Sequence, residues 1–182
     1  MSIEINFELS DSDLEHFRGM MKAAIEKSGD VSDAEIISKA RDLVATMEKS
    51  NLPEFVSTRL ISLQTLIDAV LDEEWQMPDD EKREIMASLA YFSEPEDMVP
   101  DHIPVLGYVD DAIMIELVLQ ELSLDLKAYR EFCGFRATEE ARRGDAAKVD
   151  RESWLAGTRS QIRSSMRRGR SKNRSRFFSR IM

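Results

Sequence analysis

PEDMVPDHIPVLGYVDD, residues 95–111, interrupts a chain whose other segments are patterned mostly for helix. Pro95, Pro100 and Pro104 each remove a backbone donor and push the preceding residue out of the α region, so residues 95–104 are kept from becoming helix. Gly107 is placed to supply a positive φ where the chain turns. Irregular backbone needs acceptors for its amides, and short aspartates provide them at turns and caps. Asp97, Asp101, Asp110 and Asp111 are read in that role, with Val99, Ile103, Val105 and Leu106 plugging the pair of helices on either side. The stretch therefore predicts a proline-rich helix-turn-helix inside an all-α, multi-helix bundle.

Upstream, four helices are expected. Ser10 and Ser12 are cap candidates for the first, with Glu15 closing a capping box and Leu14, Phe17, Met21, Ala24 and Ile25 on one face. Ser32 and Glu35 form a second box ahead of Ile36, Ile37, Ala40, Leu43, Val44 and Met47. Pro53 suits the first turn of a third helix that ends near Trp75, and Pro78 with Asp79, Asp80 and Glu81 puts negative charge at the start of a fourth. Downstream, Asp110 and Asp111 are expected to cap one long helix running towards Phe135 and apolar on more than one face, with Gly134 and Thr138 punctuating it. Ile3, Ile5, Phe7 and Leu9 alternate with polar residues, the period of a strand. That extended N-terminal arm lies against the helices or pairs with a second copy, which keeps a homo-oligomer open.

Tyr91, Pro95, Asp97, Pro100, Asp101, Ile103, Pro104, Val105, Gly107, Tyr108, Asp110 and Asp111 together resemble the hallmark of the YkvA-like family, domain of unknown function 1232, over roughly residues 85–126. The resemblance implies an all-helical fold and carries no settled biochemical activity. It also includes members whose equivalent region is membrane-associated. Here Glu96 stands at a usually apolar position and His102 at a usually aromatic one, and both argue against insertion of this segment.

The net charge of −10 is unevenly distributed. Ten of the 25 bases and one of the 35 acids fall in residues 151–182, a net of +9, which leaves −19 on residues 1–150. Such asymmetry marks an interaction arm, and the acidic part by itself argues against broad nucleic-acid binding. The expected division is an acidic helical body, 1–149, and a basic amphipathic tail, 150–182. The single cysteine, Cys133, excludes an intramolecular disulfide, and no early segment reads as a secretory signal. The most apolar run, 112–126, is interrupted by Glu116, Gln120, Glu121 and Asp125, so no transmembrane segment is expected. A cytoplasmic setting follows, with a peripheral position at a membrane left open.

Catalytic constellations are sparse. His16 and His102 are the only histidines, and there is no Gly-rich phosphate loop or zinc-ligand cluster, so no cofactor is expected. The one enzyme alternative is a divalent-metal site built from Asp97, Asp101, Asp110 and Asp111, since carboxylate oxygens suit hard cations. Their spacing matches no EF-hand, and Pro100 disrupts the geometry between Asp97 and Asp101.

The tail offers more. Trp154, Leu155, Thr158, Ile162 and Met166 share one arc at 100° per residue, with Arg159, Arg163, Arg167 and Arg170 beside it. Trp154, Arg159, Ile162, Arg163, Arg167, Arg168, Phe177 and Phe178 are the candidate binding residues of a non-enzymatic interaction or adaptor protein that docks a protein partner. RNA or the ribosome, an anionic lipid surface, and fold-back onto the chain's own acidic body are the competing readings.

Overall fold

The computed structural model describes residues 10–27, 31–49, 52, 54–93 and 109–181. Seven helices are described: α1 (Asp11–Lys27), α2 (Asp33–Glu48), α3 (Glu54–Leu71), α4 (Asp79–Leu89), α5 (Val109–Glu121), α6 (Ser123–Arg143) and α7 (Arg151–Ile181). A 3₁₀ turn, Ala90–Ser93, extends α4, and another, Gly144–Lys148, precedes α7. The architecture is an all-α bundle with no strand among the described residues. The N-terminal arm Ile3 to Leu9 lies outside the described residues, as do Pro53, Pro95, Asp97, Pro100, Asp101, Pro104 and Gly107.

Local chemistry sets the helix starts. Ser10 and Asp13 cap α1 reciprocally: Asp13 Oδ2 accepts from the Ser10 amide at 2.8 Å, and Ser10 Oγ accepts from the Asp13 amide at 3.3 Å. The expected box through Glu15 is thus made one turn position earlier, by an aspartate short enough to reach back. Ser32 caps α2 as the sequence indicates, its hydroxyl accepting from the Glu35 amide at 3.3 Å. Pro78 takes the N-cap position of α4, with Asp79, Asp80 and Glu81 in the first turn.

Two apolar cores are built around these helices. The larger joins α1 to α5 through Phe17, Ala40, Met47, Leu63, Leu66, Ile67, Ile85, Leu89, Met114, Ile115 and Val118. The smaller joins Ala69 of α3 and Trp75 to Ala128, Tyr129 and Phe132 of α6 and to Leu155, Ile162 and Met166 of α7. Met77 packs against both, and α3 contributes to each.

This division explains why one long helix from 110 to 135 is not formed. The chain breaks at buried Leu122, with φ −95° and ψ 17°, and α6 restarts at Ser123. The apolar run is divided between the two cores at this turn: α5 faces α3 in the first, and α6 faces α7 in the second. Gly134 and Thr138 do not end α6, because the Thr138 hydroxyl bonds back to the Gly134 carbonyl at 2.8 Å and the helix continues to Arg143. Gly144, at φ 56°, makes the stop, in the left-handed region that glycine enters most cheaply.

The basic tail is correspondingly more than an appendage. Leu155 is 1% exposed and Ile162 4%, both against α6 and Trp75. A chain ending at Asp150 is expected to lose the second core, seen as a lower urea midpoint and broadened unfolding. Leu63→Ala, at a fully buried position of α3, is expected to cost about 2–5 kcal/mol by the same measurement.

Candidate functional site

Residues 72–78, between α3 and α4, are where the second core and the charged groups of α6 and α7 meet. Asp72 follows α3 and uses both carboxylate oxygens. Oδ1 accepts from the amides of Glu74 at 2.9 Å and Trp75 at 3.2 Å, folding the chain into a tight turn. Oδ2 accepts from the Tyr129 hydroxyl at 2.9 Å and Arg136 Nη1 at 2.7 Å, tying the turn to α6. Trp75, 1% exposed, is thereby driven into the core beside Phe132 (ring centroids 5.0 Å apart) and Tyr129 (6.0 Å). Burial, then bonding to Cys133 and Asp72, raises the Tyr129 phenol above its ordinary range, so it stays a donor.

Three arginines of α7 close on the same turn. Arg151 pairs with the Glu74 carboxylate, which also takes Arg136 Nη1 at 3.0 Å. Arg159, only 4% exposed, donates to the Glu74 carbonyl at 2.8 Å and pairs with Glu152. Arg163 donates from Nη2 to the carbonyls of Trp75, at 2.6 Å, and Gln76, and stacks 4.8 Å over the Trp75 ring. Gln76 sits at φ 50°, a left-handed conformation uncommon for a non-glycine residue. Successive carbonyls of the turn are thus received by cations one helical turn apart on α7.

Beside this contact lies a cleft of about 320 Å³ lined by Gln76, Arg159, Ser160, Arg163, Ser164 and Arg167. Burial lowers the Arg163 guanidinium from its ordinary range; Glu81 opposes that shift, while Arg159 and Arg167 add to it. Arg163 Nε is buried and has no hydrogen-bond partner among the described residues. The cleft walls are cationic and hydroxylic, a lining suited to an oxyanion.

The structure gathers some of the sequence-predicted residues here and leaves others apart. Arg159 and Arg163 hold the turn, Ile162 fills the second core, and Arg167 borders the cleft. Trp154 is partly buried against Phe135 at 5.9 Å and between the cations Arg143 and Arg151. Arg168 is exposed. Phe177 and Phe178 lie in the helical span of α7, but their side chains are outside the described residues, as is that of Asp110. Asp111 is buried in the first turn of α5. Among the described residues no three histidine, cysteine or carboxylate side chains cluster in a way that could hold a metal ion. The turn residues Asp72, Glu74 and Gln76 were not legible as a site, since nothing in the local pattern DEEWQM says that arginines some 85 residues later receive its carbonyls.

Residues 81–117, from the first turn of α4 to near the end of α5, match the family model described as protein of unknown function (DUF1232). That segment belongs to the family, in agreement with the resemblance carried by the proline-rich stretch. No curated protein and no solved structure matches the chain. No helix among the described residues is long and apolar enough to cross a membrane.

Asp72→Ala removes the carboxylate acceptor of the Tyr129 hydroxyl and one of the two carboxylates on Arg136, and is expected to cost about 3 kcal/mol in urea unfolding. Acid should act on the same contacts. Arg151 and Arg136 hold the Glu74 carboxyl below its ordinary value of 4.5, and Arg142 and Arg143 hold that of Glu139 at about 2. A lowered carboxylate pKa contributes stability that is complete above the unfolded value and is lost as pH falls through the folded one. Stability should therefore decline from about pH 4.5 towards pH 2, and Glu74→Gln should flatten the upper part of that decline.

Proposed function

We propose that this is a non-enzymatic interaction protein that docks an acidic protein partner through the distal half of α7. The observation that carries the reading is the length of that helix. Of its described side chains, Leu155, Arg159, Ile162 and Met166 are buried and Arg167 and Arg168 exposed, while the helix itself continues to Ile181. From Arg167 onward the sequence holds seven Lys or Arg and no acid. Fold-back accounts for the first half of the tail, and the basic second half is assigned here as the docking element.

A protein partner is favoured over the alternatives by pattern. Helical spacing places Phe177, Phe178 and Ile181 within about 100° of arc, but Arg167, Arg170 and Arg174 share that arc, which gives no clean apolar face for shallow membrane insertion. The acidic remainder of the chain, −19 over residues 1–150, repels a nucleic-acid backbone. A reducing compartment suits the lone thiol, Cys133.

The test compares the full chain with one ending at Arg168, which keeps Leu155, Arg159, Ile162 and Met166. The shortened chain is expected to retain the parental urea midpoint and to lose a protein partner that the full chain retains from nuclease-treated extract. Capture abolished by nuclease, with a salt dependence of about −5 on log–log axes for seven neutralised phosphates, would point to RNA instead. Co-sedimentation only with anionic vesicles would favour a lipid surface.

A further inference from the structure

We propose that the cleft between α7 and the 72–78 turn is a binding site for a phosphate-type oxyanion, coordinated by Arg159, Arg163 and Arg167 with Ser160 and Ser164. The inference concerns the packed half of α7 and stands apart from the partner assigned to its distal half. Arg159, Arg163 and Arg167 are spaced four apart, so they form one row on the helix face that borders the cleft. Ser160 and Ser164 line the same space and bring hydroxyl donors. Gln76 forms the opposite wall.

The charge of this row is incompletely compensated. Arg159 is neutralised by Glu152, and Glu81 exerts a favourable field on Arg163. Arg163 nevertheless donates from Nη2 to neutral carbonyls, and its Nε has no acceptor among the described residues. Arg167 is exposed and has no acceptor among the described residues. A partly desolvated guanidinium whose hydrogen bonds go to neutral carbonyls, beside the exposed Arg167, attracts a multivalent oxyanion, whose several lone pairs can serve two arginines and a hydroxyl together.

Glu152 shows the geometry in miniature. Its carboxylate already sits on Arg159, from the first turn of the same helix, and accepts from Gln76 Nε2 at 3.4 Å. It occupies the position of an anion with one charge, from an exposed side chain. A phosphate group in the cleft brings more charge and more acceptors, and competes with it for Arg159. The carboxylate is thus an internal competitor, and removing it should tighten the site.

The experiment follows the side-chain Nε–H resonance of Arg163 in the ¹⁵N-labelled full chain, an atom shielded from solvent exchange by its burial. Inorganic phosphate is titrated against chloride at constant ionic strength. A saturable shift is expected, weakened about fivefold by Arg167→Ala and tightened about fivefold by Glu152→Gln, the scale of one partly exposed charge pair. Arg142→Ala, at an exposed pair with Glu139, should leave the affinity unchanged. O-phosphoserine identifies the source: tighter binding than inorganic phosphate points to a phosphorylated side chain, and equal or weaker binding to the free anion. A shift that fails to saturate, or an affinity indifferent to both Arg167→Ala and Glu152→Gln, overturns the proposal.

Discussion

The carboxylate of Asp72 is the constraint on which the second half of the molecule depends. Four donors converge on it: two backbone amides that make the turn, and two side chains of α6 that hold the turn in place. Without that convergence Trp75 has no fixed orientation, and α7 has no surface to complete. Each of these bonds is modest when taken singly, because water competes for the same groups. Their common acceptor couples them, since losing the carboxylate takes a bond from all four donors together, leaving Arg136 with Glu74 and the Trp75 amide with the Asp72 carbonyl.

From Asp72 the consequences run outward along α7. A helix rich in arginine is a poor candidate for burial, yet its packed half is secured because its cations meet carbonyls and carboxylates already turned towards them. Arg151, Arg159 and Arg163 are structural in this sense. Their stems cover the core edge while their heads are satisfied by Glu74, Trp75 and Gln76. The same row, continued by Arg167, opens onto a cleft whose charges are not all met, so structure and binding capacity arise from one repeat of four residues.

Much of the architecture was legible in the sequence, and the reasons are local. Ser32 with Glu35, the acids after Pro78 and the apolar stripe of α2 each act within one helical turn, where spacing alone carries the information. Leu122 was not legible as a break, because the division of the apolar run between two cores depends on where α3 and α7 lie. The tail was legible as a basic amphipathic helix but not in its occupant: Leu155 and Ile162 look alike whether they face a partner or Phe132. The turn at Asp72 to Pro78 was missed for the same reason, as its arginine contacts come from 62 to 88 positions away.

Those separations also order the assembly of the molecule during synthesis. Every described buried residue of the larger core has left the ribosome once Leu126 has emerged, so α1 to α5 can pack while the remainder is still being made. The smaller core has to wait for Met166. In that interval Trp75 and Phe132 are already made but uncovered, and the chain presents an aromatic, acid-rimmed surface awaiting its own helix. A nascent chain of this protein is therefore most exposed to chaperones or to wrong partners during one definable window, from the emergence of α6 to that of the first half of α7.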